Sequence, residues 1–356
     1  MKINFGAGPA ALPQEVLEEA AKAIIEYEDS GLSILSLGHR SIAFAAILAE
    51  AKMLTLKLLD LNDNYEVLWF QGGGRLQFDL IPMNYLSSKD IGAYIDSGHW
   101  AADAIANVSK YGKLHIAAST KEEQYRSIPK ILDIPNTAKY VYLNANNTIY
   151  GTQFHEIPKT TVPLIGDFSS ELFSRTLDYS KFSMIFAVAQ KNLGPAGVTM
   201  VIVKKSFLQD PVRPLADILN YQEMAAKNSL VNTAPVFSIY VSLLNLRFMS
   251  SKGLKQIELE NDEKAKLLYD FIDNSTLYYG VCEKESRSKM NVCFRLKEEH
   301  LEKELLAFSE QHNITGIAGH RSVGGFRVSL YNAITIADVI NLIETLTNFE
   351  NTWKTK

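Results

Sequence analysis

The stretch FAVAQKNLGPAGVTMVIV, residues 186–203, sets Lys191 between two apolar runs, with Gly194, Pro195 and Gly197 just behind it. A lysine in that place is either an ordinary charged loop residue at a strand end or an amine held half-buried, where it loses its proton and can attack a carbonyl carbon. Alone it decides nothing, because solvated lysines are the norm. Three other stretches bear on the choice. In EVLWFQGGGRLQFDLI, Gly72, Gly73 and Gly74 separate an apolar run from a helical one. Glycines let backbone N–H groups approach an anion, a helix start carries partial positive charge, and Arg75 adds a full one. A purely steric strand-to-helix turn would use the same glycines. The spacing is neither GxGxxG nor a loop ending in GKS or GKT, so neither NAD nor a nucleoside triphosphate is the natural ligand. Trp100, in YIDSGHWAADAI, is placed either to pack a helix or to stack on a planar ring. Asp167, closing the apolar run VPLIGD, reads as a helix cap or as a buried acid in need of a cationic partner. An anion cradle, a flat aromatic, a strand-end carboxylate and a half-buried lysine together suit one cofactor, pyridoxal phosphate.

Elements must hold these residues together. Ile47, Ala51, Leu54, Leu58 and Leu61 recur at spacings of three and four and predict an amphipathic helix. Residues 66–70, 91–96, 140–143, 162–167, 183–189 and 198–203 read as short, largely buried strands. Several are separated by helix-length segments, which implies crossovers and a mostly parallel sheet covered on both faces. The fold class expected is α/β. In such sheets ligands bind beyond the carboxyl ends of the strands, and the four candidates all follow a strand. Beyond residue 250 the texture changes to a charged helix, NVCFRLK, a second charged helix, GFRVSLYN and a final helix over 334–349, the pattern of a smaller α+β domain.

With 356 residues, 47% hydrophobic and 21% charged, the chain is expected to be an ordinary globular protein. A net charge of -4 gives no electrostatic footprint for nucleic acid or an anionic membrane. The start, MKINFGAGPAALPQEV, lacks an apolar leader, and the longest uncharged apolar runs are strand-length, so a cytoplasmic chain is expected. Cys282 and Cys293 are too few for a disulfide framework and lack metal-ligand spacing; no metal is expected.

From FGAGPAALP through GHRSIAF, FQGGGRLQF, DSGHWAADAI, NNTIYGTQF, GDFSSELFSR, AQKNLGPAGVTMVIV and VNTAPVFSIY to SKMNV and GHRSVGGFRVSLYNA, the chain resembles the phosphoserine aminotransferase family. These are class V aminotransferases among the fold-type-I enzymes dependent on pyridoxal phosphate. The resemblance implies a large cofactor-binding domain over 12–250, with a mostly parallel central sheet, and a small C-terminal α+β domain made of 1–11 with 251–356. It implies that Lys191 forms the Schiff base with pyridoxal 5'-phosphate, that Asp167 pairs with its pyridine nitrogen and that Trp100 stacks on its ring. Gly74, Arg75 and Gln190 would hold the cofactor phosphate and its surroundings, and Thr148 would hydrogen-bond near the ring. A homodimer is implied as well, with Asn232 and Thr233 reaching the neighbouring subunit's cofactor. Arg327 matches the grip on the substrate α-carboxylate. His39 and Arg40, with His320 and Arg321 from the partner subunit, match a cluster that receives a phosphate group; arginine's planar fork suits both tasks. The reaction implied is amino transfer between L-glutamate and 3-phosphohydroxypyruvate, giving 2-oxoglutarate and O-phospho-L-serine in serine biosynthesis, with 4-phosphohydroxy-L-threonine of pyridoxine biosynthesis as a further candidate.

Four positions depart from the family's pattern. Ala7 stands where many members have serine, Ser41 and Leu76 where glycine is frequent, and Ala318 where lysine is common. The last removes one cation near the phosphate site. Three rivals are weighed against this assignment. A cysteine desulfurase needs a nucleophilic cysteine on a mobile loop, whereas Cys293 reads as strand and Cys282 has no glycine-rich or serine-rich surroundings. An aminotransferase for alanine, serine or glyoxylate has no use for two His-Arg pairs. A non-catalytic relative would have no need of Lys191 and Asp167.

Overall fold

The computed structural model describes residues 2–354. In chain order the strands are β1 (Ile3–Asn4), β2 (Tyr65–Gln71), β3 (Ile91–Asp96), β4 (Lys113–Ser119), β5 (Ala138–Asn144), β6 (Asn146–Asn147), β7 (Thr152–Gln153), β8 (Leu164–Asp167), β9 (Phe182–Val188), β10 (Val198–Lys204), β11 (Tyr278–Gly280), β12 (Asn291–Leu296), β13 (Ile314–Thr315) and β14 (Phe326–Ser329). The helices are α1 (Gln14–Ile25), α2 (Ile42–Leu58), α3 (Gly74–Tyr85), α4 (His99–Val108), α5 (Tyr221–Ala226), α6 (Val236–Lys252), α7 (Leu254–Asn274), α8 (Glu302–Gln311) and α9 (Ile336–Lys354).

Seven strands form the central sheet in the order β2-β10-β9-β8-β5-β3-β4. All pairings are parallel except those of β10, which is antiparallel to both neighbours. Alternate residues of these strands feed different cores, because side chains alternate across a strand. On one face Ile185, Ala187, Met200, Ile202, Val141 and Leu143 pack with Ile47 and Ala51 of α2 and Ile239 and Leu243 of α6. On the other, Met184, Phe186, Val201, Val203, Tyr140 and Tyr142 pack with Phe78 of α3, Ala104 of α4 and Tyr221 of α5. Burial on both faces is what made these strands read as near-continuous apolar runs. The exception is β4 at the sheet edge, where Leu114 and Ile116 stay partly exposed.

A third core gathers Phe5 with Leu268, Ile272, Val292, Phe294, Val328, Val339 and Leu342. Strands β11, β12 and β14 form its antiparallel sheet. The first strand belongs here too: β1 runs parallel to β13, Phe5 N donates to Thr315 O at 3.0 Å, and Ser329 N donates to Phe5 O at 3.0 Å. Helix α7 serves two cores, with Ile257 packed on the large one and Leu268 and Ile272 on this one. Buried Lys264, midway along α7, donates to the carbonyls of Leu330 at 3.0 Å, Tyr331 at 3.0 Å and Ile334 at 2.8 Å, just after β14. Among the described residues no helix is long and apolar enough to cross a membrane.

Candidate active site

Because β10 is antiparallel, β9 and β10 are joined by a short turn, and Lys191 sits on it. Every bond around it restrains that turn. Gly194 N donates to Ala189 O at 2.7 Å, Ala10 N donates to Gln190 O at 2.8 Å, and Asn245 Nδ2 donates to the carbonyls of Asn192 and Leu193 at 3.0 and 2.9 Å. Asn192 in turn donates to Leu172 O at 2.8 Å and accepts from Asn332 N at 2.9 Å, which ties the turn to the chain leaving β14. The Lys191 amine donates to Thr148 Oγ1 at 3.3 Å and lies 6.0 Å from the Trp100 ring. Burial pushes it down to about 8; the charge of Asp167 opposes this, and Arg327 pushes the same way as burial.

Asp167 ends β8 directly opposite Asn144 of β5. Its Oδ2 accepts from Asn144 Nδ2 at 2.8 Å and its Oδ1 from Ser169 N at 2.9 Å. Burial raises its pKa, while Lys191 and these donors pull it back. A carboxylate this dry calls for a positive partner beyond two neutral donors.

The glycine stretch turns the chain from β2 into α3. Gly72 takes φ +101°, a backbone that side chains disfavour, and its N–H donates to Gly197 O at 2.9 Å. A Cβ on Gly74 would lie 3.1 Å from Val188 Cγ1, so glycine lets α3 start close against β9. Gly73 and Gly74, at the start of α3, line the same cavity as Gln190 and Lys191. Arg75 pairs with Asp103 of α4 at 2.8 Å and its guanidinium lies 5.5 Å from the Trp100 ring. Trp100, second residue of α4, carries a buried Nε1 with no partner.

Gly74, Arg75, Trp100, Asp167, Gln190 and Lys191 wall one cavity of about 430 Å³, with Ser169, Val188 and Leu76. Pyridoxal phosphate fits what these residues present. The buried acid calls for a cationic ring nitrogen, the orphaned indole N–H needs a partner, and the start of α3 suits a phosphate. Among the described residues no group of three or more His, Cys, Asp or Glu could hold a metal ion.

The expected substrate residues divide. Arg327 projects from β14 opposite Cys293, and its Nε is buried without a partner. His320 lies beside His99, the neighbour of Trp100, its ring 5.6 Å from that of His99, with Nδ1 bonded to Ser322 Oγ at 2.7 Å. Burial, then Arg327, His99 and Arg321, push its pKa down. Arg321 follows it and is exposed. Within one chain, the loop that leads into β14 sets His320 beside His99 at the start of α4. Conversely, His39 and Arg40 precede α2 and line none of this cavity, and Asn232 and Thr233, on the approach to α6, do not line it either. Thr233 O accepts from Gln71 Nε2 at the end of β2.

The departures have local reasons. Ser41 caps α2, accepting from Phe44 N at 3.1 Å, and Ala7 serves through its carbonyl, which accepts from Tyr331 OH at 3.1 Å. Leu76 forms part of the cavity wall, and Ala318 bridges to Phe326. Both cysteines are buried and free. Cys282 Sγ donates to Tyr150 O at 2.6 Å, and burial pushes its thiol up to about 12; burial raises Cys293 as well. Neither is a nucleophile in waiting.

Sequence reasoning missed Asn144, Ser169 and His99. The turn at Asp167 carries a signal, since an aspartate bonding the N–H two residues on is a standard local turn. Asn144 is set by cross-strand register alone. His99 packs edge-on against Trp100 at 5.0 Å and 77°.

The family model for Aminotransferase class-V matches residues 3–342. The chain is 45% identical over 352 residues to a phosphoserine aminotransferase of Lysinibacillus sphaericus (strain C3-41), covering 98% of this chain and 97% of that protein. Its structure superposes on phosphoserine aminotransferase from Bacillus circulans subsp. alkalophilus with a TM-score of 0.97 at 41% identity, covering 99% of each chain. A pyridoxal-phosphate-bound phosphoserine aminotransferase from Trichomonas vaginalis gives a TM-score of 0.92 at 31% identity, covering 98% of this chain and 100% of that one.

Proposed function

The chain belongs to the class-V aminotransferases and, within them, to the phosphoserine aminotransferases, and on that premise we propose that it binds pyridoxal 5'-phosphate at Lys191 and transfers the amino group of L-glutamate to 3-phosphohydroxypyruvate. The products are 2-oxoglutarate and O-phospho-L-serine. The observation that carries this reading is the Lys191 amine, brought down to about 8 in a cavity that also holds Asp167.

When bound, the cofactor supplies an electron sink for the bonds at the substrate α-carbon. The chain's own residues do the rest. Asp167, fixed by Asn144 and Ser169, keeps a negative charge at the deep end of the cavity. Trp100 gives a flat wall; Gly74, Arg75 and Gln190 border the phosphate position at the start of α3, and Thr148 holds the lysine side chain. Arg327 takes the substrate α-carboxylate with its free guanidinium edge. Lys191 Nζ, neutral often enough at pH 7, takes the proton from the substrate α-carbon and returns one.

At the distal end, His320 and Arg321 of the same chain meet the substrate phosphate, joined by His39 and Arg40 of a second copy. Exposed Leu35, Ile42 and Met53 flank His39 and Arg40 in sequence and support burial of that face in a homodimer. Asn232 and Thr233 reach the other copy's cofactor in the same assembly. The substrate lies between a large unit, 12–250, and a small one, 1–11 with 251–356, in a cytoplasmic enzyme whose two thiols remain reduced.

The test is glutamate-dependent amination by the purified holoenzyme, with 3-phosphohydroxypyruvate, the oxo acid corresponding to 4-phosphohydroxy-L-threonine, pyruvate and glyoxylate as parallel acceptors. A strong preference for phosphorylated acceptors is expected. Equal use of pyruvate or glyoxylate would leave the cofactor chemistry intact but remove the role given to His39, Arg40, His320 and Arg321.

A further inference from the structure

We infer that His99 is a further substrate-binding residue: packed on the cavity's Trp100 and paired with His320, it favours a phosphoryl group over a carboxylate at the distal end of the substrate. The inference rests on the proposed function and deepens it.

His99 is held from two sides. As the first residue of α4 it packs its ring edge-on against Trp100, 5.0 Å away, so it is fixed relative to a wall of the cavity. Its other neighbour is the ring of His320, 5.6 Å away and tilted by 43°. Packing against Trp100 alone would be served by any aromatic residue, with no need for a ring that can carry a proton.

The charges around the pair are unequal. Asp103, four residues on along α4, lies 3.9 Å from His99 Nε2 but is bonded at 2.8 Å to Arg75 of α3, so its single negative charge is already shared. Against it stand Arg75, Arg321 next to His320 and Arg327 on β14, together with the positive start of α4 itself. In this company burial, then Arg327, His99 and Arg321, hold the His320 proton off, and an anion that joins the pair opposes them. A phosphoryl dianion supplies two negative charges and three oxygens to the pair; a carboxylate supplies one charge and two oxygens. Phosphate binding is therefore accompanied by proton uptake at His320, and carboxylate binding by less.

Two variants test this as holoenzymes: His99→Phe, which keeps an aromatic edge against Trp100, and His99→Asn, which keeps polarity without a titrating ring. Inorganic phosphate is the probe in titration calorimetry near pH 7, run in two buffers of different ionisation heat so that protons taken up are counted. The wild type is expected to take up protons, and both variants to bind phosphate about tenfold more weakly with fewer protons taken up. In steady state, the preference for 3-phosphohydroxypyruvate over pyruvate, as a ratio of kcat/KM, is expected to fall about tenfold in both. Unchanged phosphate affinity and proton count in both variants, or equal rises in KM for the phosphorylated oxo acid and for glutamate, would overturn the inference. A wild type without preference for the phosphorylated acceptor sinks the proposed function, and this inference with it. A preference that survives intact in both variants sinks this inference alone.

Discussion

Burial and Asp167 pull the proton of Lys191 in opposite directions, and the balance near 8 leaves roughly a tenth of the amine neutral at pH 7. The neutral amine is the form that attacks a carbonyl. Attachment of pyridoxal phosphate to the cofactor-free protein, followed by stopped-flow absorbance, is therefore expected to quicken as pH rises toward about 8 and to level off above it. In Asp167→Asn the charge that stabilises the ammonium is gone, so the midpoint is expected to move to lower pH, while amino transfer falls on the order of a hundredfold or more. A midpoint that stays put or rises would show that Asp167 does not govern the lysine. Lys191, Asp167 and Trp100 could be picked out of the sequence because this chemistry admits few residue types and each stands at or soon after the end of a strand. Asn144 and Ser169 were harder. Both are ordinary polar residues whose role comes from lying opposite or just after Asp167 in the folded sheet.

The decisive element is the short turn between β9 and β10. A parallel crossover would have put a helix's length of chain between the lysine and the next strand; the antiparallel β10 anchors it from both sides. Asn192 then links that turn to Asn332, Asn332 Nδ2 donates to Phe173 O at 2.8 Å, and Asn261 Nδ2 of α7 donates to Asn332 Oδ1 at 3.0 Å. Lys264, one turn along α7, gathers the three carbonyls that follow β14. Lys264→Met fills the same space but removes the donor these buried carbonyls share, and a loss of about 3 kcal/mol in stability is expected from denaturant unfolding. Unaltered stability would mean that the carbonyls find other partners. The six strands expected from sequence all form, within two residues at their ends. The sequence hid β4, whose residues KLHIAAS lie at the sheet edge with little to bury, so no apolar run marks them. It also hid the direction of β10, since a fully buried strand reads alike in either orientation.

At the scale of the whole molecule, the two His-Arg pairs stand differently in one chain: His320 lies beside His99, the neighbour of Trp100, while His39 and Arg40 line none of the cavity. A mixing experiment separates the ways a dimer could unite them. Combining Lys191→Ala with Arg40→Ala, each inactive or nearly so, is expected to recover roughly a quarter of the wild-type rate, because half the dimers then carry one complete site. Combining Lys191→Ala with Arg321→Ala is expected to recover none, on the proposed assignment of Arg321 to its own chain's site. Recovery in the second mixture but not the first would assign the pairs the other way round. The chain's path also sets an order in time. Residues 3–5 find their partners only at 313–315 and 329, and between those anchors and α1 the segment passes Lys191, with Gly8 facing its Cγ and Ala10 bonded to Gln190. Synthesis delivers the lysine, its turn and the entire seven-stranded sheet while the partners of the first strand are still unmade. Residues 3–5 are thus fixed only once residues 313–329 exist, long after the turn that carries Lys191 has been made.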